Sequence, residues 1–191
     1  MSSELKTNKV SPATGTALQI GDSGDTITIP SGATIANSGT ATGFGGDNTP
    51  RFEATKTSNQ TAFTDSAWVK VTFNFETTDS DGAYASDKFT VPSGEGGTYY
   101  FYSTVSAGTS TGGGITNLML SFYKNGSIHT VGGRGHMGSA DSIAGYAPIT
   151  ISNMITLSAT DYIEVYVYSD TTDTNSIAVA DYCNFGGFKL L

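Results

Sequence analysis

The sequence predicts an all-β protein, a jelly-roll β-sandwich head behind an extended β-rich N-terminal arm. Three observations predict it. The 191-residue chain uses 24 glycines and only 14% charged residues, and its apolar runs are short and separated by Gly, Ser, Thr and Asn. Val, Ile, Tyr, Phe and Thr in such runs, with turn residues between, are the texture of strands. No apolar stretch keeps a helical period for more than about two turns.

Residues 1–46 form the arm, with Phe44 its one aromatic and "GFGG" its end; residues 47–50 are a short linker closing on Pro50. Leu18 and Ile20, Ile27 and Ile29, and then Ile35 recur at offsets of nine and eight residues, with Gly or Pro turns between. One copy of so narrow a segment has almost no interior. These five aliphatics are therefore expected to pack against other chains, either around an axis or as strands added to a partner.

The head, residues 51–191, begins with strand-like runs. "AWVKVTFNFE" places Val69, Val71, Phe73 and Phe75 on one face and Lys70, Thr72, Asn74 and Glu76 on the other, the alternation of a half-buried strand. "KFTVP", "GTYYFYSTV", "NLMLSFYKNGSIHTV", "APITISNMITL", "DYIEVYVYS" and "NSIAVADYCNFGGFKLL" follow. Turn chemistry marks the joins, and Asn125-Gly126 is a type I′ hairpin signal. About eight or nine strands at this spacing make a sandwich or jelly roll.

Three of these strands are apolar on both faces. Tyr99, Phe101 and Val105 oppose Tyr100 and Tyr102; Leu118, Leu120 and Phe122 oppose Met119 and Tyr123; Ile163, Val165 and Val167 oppose Tyr162, Tyr166 and Tyr168. One set fills a sandwich core. The Tyr-rich set is expected to form an oligomer seam, because Tyr joins a large apolar body to a polar tip.

Composition excludes several functions. The net charge is −8 with only nine Lys and Arg, which argues against nucleic-acid phosphate as a partner. The polar start "MSSELKTNKV" reads as neither a secretory signal nor a membrane anchor. Cys183 is the single cysteine; beside Tyr182 and Phe185 it reads as a small buried hydrophobe. The sequence contains no G-x-S-x-G, H-E-x-x-H or Walker loop, and the spacing of its twelve Asp and five Glu nominates no glycosidase pair. The chain is expected not to be an enzyme and to need no cofactor.

Two candidate ligand sites remain. "SIHTVGGRGHMGSADSIAG" gathers His129, Arg134 and His136 in a glycine-rich loop, where Arg134 could fork onto the carboxylate of an acidic sugar. Asp79 and Asp81 in "TTDSDGAY" stand two apart before a Gly, like the opening of a Ca²⁺ loop, but no Glu stands at the bidentate position. A structural turn is the reading there, as for "GDSGD", and no metal is expected.

"GAYASDKFTVPSGEGGTYYFYSTV", "LSFYKNG", "ITLSATDYIEVYV" and the closing "FGGFKLL", in that order, resemble the globular head of complement component one q, in the tumour necrosis factor-like jelly-roll superfamily. The resemblance covers residues 51–191 and implies a ten-strand jelly roll in a bell-shaped homotrimer that binds or displays. It implies a trimer axis at Tyr100, Tyr102, Tyr166, Tyr168 and the last strand around Tyr182 to Phe185. The sequence departs from that pattern at Thr160-Asp161, where the family has Gly-Asp, in a longer "PSGEGGTYY" turn, and in a glycine-rich insertion between Thr130 and Pro148.

The arm, "KTNKVSPATGTALQIGDSGDTITIPSGATIANSGTATGFG", resembles the N-terminal arms of fibre and appendage proteins of tailed bacteriophages. Together the two resemblances imply a virion protein, made in the host cytoplasm. Its partners would be itself, other virion proteins through residues 1–46 and a host-surface glycan. A capsid decoration protein and a secreted lectin-like module are the alternatives, the second disfavoured by the polar start.

Overall fold

A computed structural model of the chain describes residues 9–38, 48–61, 63–109, 114–136, 146–171, 176–178 and 182–190. The chain divides into two units, Met1–Phe44 and Gly45–Leu191.

In the first unit, residues 9–38 contain turns but no strand or helix. Asp25 N–H closes one turn on Asp22 C=O at 3.0 Å, and Ala33 N–H closes another on Pro30 C=O at 3.0 Å. The alternating Ile and Thr residues are thus expected to become strand only beside a partner, because a strand's ladder needs a second chain segment. Leu18, Ile20, Ile27, Ile29 and Ile35 are all exposed, Ile20 by 64%.

The second unit is a sandwich of two antiparallel sheets. Its strands are β1 (Arg51–Thr55), β2 (Ala67–Lys70), β3 (Phe75–Asp79), β4 (Tyr84–Ala85), β5 (Lys88–Thr90), β6 (Gly97–Thr109), β7 (Ile115–Lys124), β8 (Ser127–His136), β9 (Tyr146–Leu157), β10 (Tyr162–Thr171), β11 (Ser176–Ala178) and β12 (Asn184–Lys189). The first sheet runs β11-β6-β12-β1-β3, with β9 on the other side of β6; the second runs β4-β5-β10-β7-β8, with β2 also on β10.

The hairpin at Asn125-Gly126 has positive φ at both residues, 53° and 78°, the geometry a type I′ turn demands. "AWVKVTFNFE" is not one strand. It pairs with β10 as β2 through Lys70, crosses between the sheets over residues 71–74 and joins β1 as β3. Val71 and Phe73 enter the core during the crossing, but Phe75 ends 53% exposed, because changing sheets changes which side of the segment is inside. The C-terminal run likewise splits into β11 and β12.

The core is aromatic. Phe52 lies 4.8 Å from Phe89 and 4.8 Å from Phe185, ring centre to ring centre, and Phe101 lies 6.1 Å from Phe122 across the two sheets. Such pairs add about 0.5–1.5 kcal/mol each beyond their area. Tyr99, Phe101, Val105, Leu118, Leu120, Phe122, Ile163, Val165 and Val167 are all buried, so each two-faced strand turns its expected inner set inward. Their alternates are left on the two outer surfaces.

Candidate functional site

The two outer surfaces carry different chemistry. On the first sheet, cross-strand register puts Tyr100 opposite Phe188 on one side and Met154 on the other, with Tyr102 opposite Gly186 and Ser152. Ring centres of Tyr100 and Phe188 are 5.6 Å apart, and those of Tyr100 and Tyr102 are 6.4 Å apart. Met154 is 65% exposed. Hydroxyl pairs frame this patch, Thr98 with Thr156 at 3.2 Å and Thr104 with Thr150 at 3.1 Å. Burial pushes the Tyr102 phenol up, as do the nearby Glu53 charge and its hydrogen bond to Tyr102, so this hydroxyl keeps its proton and donates to the carboxylate. A recess of about 290 Å³ opens beside it between Arg51, Glu53, Tyr102 and Phe188.

On the second sheet the outward side chains are also aromatic. Tyr123 and Tyr166 stack at 3.7 Å with 19° between planes; Trp68 lies 6.1 Å from Tyr123 and 5.6 Å from Tyr168. Polar groups border them. Ser66 Oγ donates to Asp170 at 2.6 Å and Asn117 Nδ2 donates to Asp170 at 3.2 Å. At the other end Lys70 Nζ meets Glu164 at 2.8 Å and donates to Ser86 C=O at 2.9 Å.

The expected interface residues therefore separate. Tyr100 and Tyr102 share one sheet, whereas Tyr166 and Tyr168 lie on the other sheet of the sandwich. Sheets packed face to face send their outer side chains in opposite directions, so these four do not make one seam. Phe185 is fully buried among Phe52, Phe73 and Tyr84 and belongs to the core. Its register with Ser103 puts it on the inward parity of β12. Tyr182 is exposed ahead of β12, at a recess of about 550 Å³ shared with Thr104, Pro148 and Asn184.

The glycine-rich stretch is strand as far as His136, not loop. It pairs with β7 through two register shifts, which set Arg134 opposite Met119 and His136 opposite Asn117. Bulges of this kind absorb the surplus residues that glycine tolerates. His129 is exposed, and residues 137–145 lie outside the described residues. Backbone register thus brings Arg134 and His136 to the sheet that carries Tyr166 and Tyr168.

The Asp79 carboxylate accepts from backbone N–H groups of Asp81, Ala83 and Tyr84 at 3.2, 3.1 and 2.8 Å, which makes it a turn cap. Asp22 and Asp25 are tied within their own turn, Asp22 N–H donating to Asp25 Oδ2 at 2.8 Å. Among the described residues no three His, Cys, Asp or Glu stand close enough to share a metal ion. Cys183 is buried, and burial pushes its thiol up, away from the thiolate a nucleophile needs. No helix of the described residues is long and apolar enough to cross a membrane.

Trp68, Met154 and Phe188 were not singled out by the sequence pattern. The signal for Trp68 was present: it has the same parity as Lys70, on the face opposite Val69. Met154 and Phe188 become recognisable only once register sets them beside Tyr100.

No family model matches the chain, and no curated protein matches it. Solved structures do. The globular domain of zebrafish complement 1qA is similar at a TM-score of 0.50 and 17% identity, over 74% of this chain and 98% of that one. Murine APRIL is similar at a TM-score of 0.49 and 14% identity, over 73% of this chain and 98% of that one. The complement likeness shows a shared jelly-roll fold.

Proposed function

We propose that the chain is a non-enzymatic virion protein of a tailed bacteriophage, a homotrimeric fibre or spike. Its arm holds other virion proteins and its head is displayed for host-surface adhesion. The outer patch of the first sheet carries this reading. Tyr100, Tyr102, Met154 and Phe188 are large side chains set side by side on a regular antiparallel surface, an arrangement that self-association would take out of water. Three-fold stoichiometry rests on the resemblance to the complement head, with which the chain shares its fold. The virion assignment rests on the arm: its sequence resembles phage appendage arms, and its aliphatics face solvent in the single chain. Trimeric display multiplies weak single-site contacts.

Native mass spectrometry of the full chain at micromolar concentration tests the assembly. Three copies are expected, with Met154→Glu reducing the wild-type trimer to single chains; a wild-type monomer overturns the homotrimer. Gold-labelled antibody on intact particles tests the location. Label on tail or spikes supports a fibre, label spread over the shell supports decoration, and unlabelled particles reject both.

A further inference from the structure

Self-association through Tyr100 and Tyr102 leaves the opposite side of the sandwich in solvent, and that side carries an unbroken chain of ring contacts. It runs Tyr166–Tyr123–Trp68–Tyr168, with centre distances of 3.7, 6.1 and 5.6 Å. All four side chains are half-buried, so each keeps part of its ring in water while its strand holds it in place. At one end stands the half-buried Asp170, held by Ser66 and Asn117; at the other, Glu164 is buried and ion-paired to Lys70.

We infer that this face is a carbohydrate platform that takes a neutral oligosaccharide, the ring faces packing against the sugars' C–H faces and the Asp170 carboxylate accepting from a sugar hydroxyl. The negative face of an aromatic ring attracts weakly positive C–H groups, and an ionised carboxylate keeps acceptor capacity beyond the bonds it already makes. Charge selects the occupant. The chain's net charge of −8 and the Asp170 carboxylate at one end of the aromatic row disfavour a polyanionic glycan. A neutral sugar has both the apolar face and the hydroxyl donors the surface calls for. The inference rests on the reading of the head as a displayed binding domain, and it moves the ligand from an acidic sugar at Arg134 to a neutral one at the aromatic row.

Trp68 is the only tryptophan in the chain, so its fluorescence reports this surface directly. The full chain is titrated with maltohexaose, cellohexaose, laminarihexaose and mannohexaose, and with a heparin hexasaccharide as the anionic probe. A saturable change in Trp68 emission is expected with at least one neutral sugar. Tyr166→Leu, which keeps apolar bulk on the strand, weakens it about tenfold; Tyr100→Ala on the other sheet leaves it unchanged. The inference is overturned by silence to all four neutral sugars, by a response to heparin alone, or by emission that changes with protein concentration when no sugar is present. Native mass spectrometry on the same samples separates the two readings. A trimer without a sugar response overturns the platform alone, and a responding monomer overturns the assembly alone.

Discussion

The ring of Tyr102 lies over Gly186. A β-carbon at position 186 would overlap Tyr102 Cζ and Oη, whereas one at Gly187 would stand 2.5 Å from Phe101 Cδ1 and 2.9 Å from the Tyr100 carbonyl oxygen. The two glycines of "FGGF" thus admit one aromatic ring on each side of β12. The outer ring belongs to the proposed seam and the inner one to the core.

The consequences of substituting them differ. At Gly186 the obstructed atoms are the tip of a surface side chain, which can swing away. Gly186→Ala is expected to lower stability by about 1 kcal/mol, the low end of overpacking costs, but to weaken self-association strongly, because Tyr102 leaves its place. At Gly187 a core ring and a backbone oxygen must yield, and overpacking of that kind costs about 1–3 kcal/mol. Urea melts of both variants, with native masses, check the contrast. Equal destabilisation with intact assembly in both would contradict it.

Opposite placement of the tyrosine pairs gives a second expectation. Tyr102→Lys puts a charge in the proposed seam, where it would be desolvated beside its own copies. Tyr168→Lys puts the same charge on the other sheet. Light scattering should find the first variant dissociated and the second still assembled. Dissociation of the second but not the first would place the seam on the wrong side of the sandwich.

Thr160 sits at φ 73°, a left-handed conformation in which a β-branched residue is strained. It does so because the Ser158–Asp161 turn closes there, with Asp161 N–H on Ser158 C=O at 3.1 Å and Thr160 N–H on Val91 C=O at 2.9 Å. Glycine relieves that strain, offset in part by its greater freedom in the unfolded chain. Thr160→Gly is expected to stabilise the head by up to about 1 kcal/mol, or about 3 °C in Tm. A lowered Tm would show that the threonine side chain contributes more than its backbone costs.

Local alternation made the core legible in the sequence. Tyr99, Phe101, Leu120, Phe122, Ile163 and Val165 share parities that bury them, and Asn125-Gly126 announces its own hairpin. Which sheet a strand joins is a non-local fact, and there the sequence reading failed. Tyr102 and Tyr166 look equivalent along the chain, but β6 and β10 belong to different sheets. Phe185 was misplaced for a related reason: with glycine at 186 and 187, its run has no alternating neighbours to fix parity. The segment from Ala67 to Glu76 hid a sheet change inside a regular period, since residues crossing a sandwich can stay alternately buried. Trp68 was readable by parity with Lys70, but its meaning depends on β10 and β7 bringing Tyr168 and Tyr123 alongside.

The last expectation concerns acid. Asp161 accepts from Asn125 Nδ2 at 2.8 Å and from Ser158 N–H at 2.9 Å, and pairs with Lys124 Nζ at 3.0 Å. The Asn125 hydrogen bond, then the Ser158 N–H and then Lys124 hold its carboxyl down at about 2. Its unfolded value is near about 3.9. A carboxyl held below its unfolded value gives stability that is complete above the unfolded value and lost as pH falls through the folded one. The contribution of Asp161 is therefore full above about pH 4 and gone below about pH 2. Asp161→Asn keeps the size of the side chain but cannot ionise. Its Tm should fall below that of wild type at neutral pH, and the gap should narrow as pH drops from about 4 towards about 2. Calorimetric scans across that range check it; a gap that stays constant would mean that Asp161 acts through shape and not through charge.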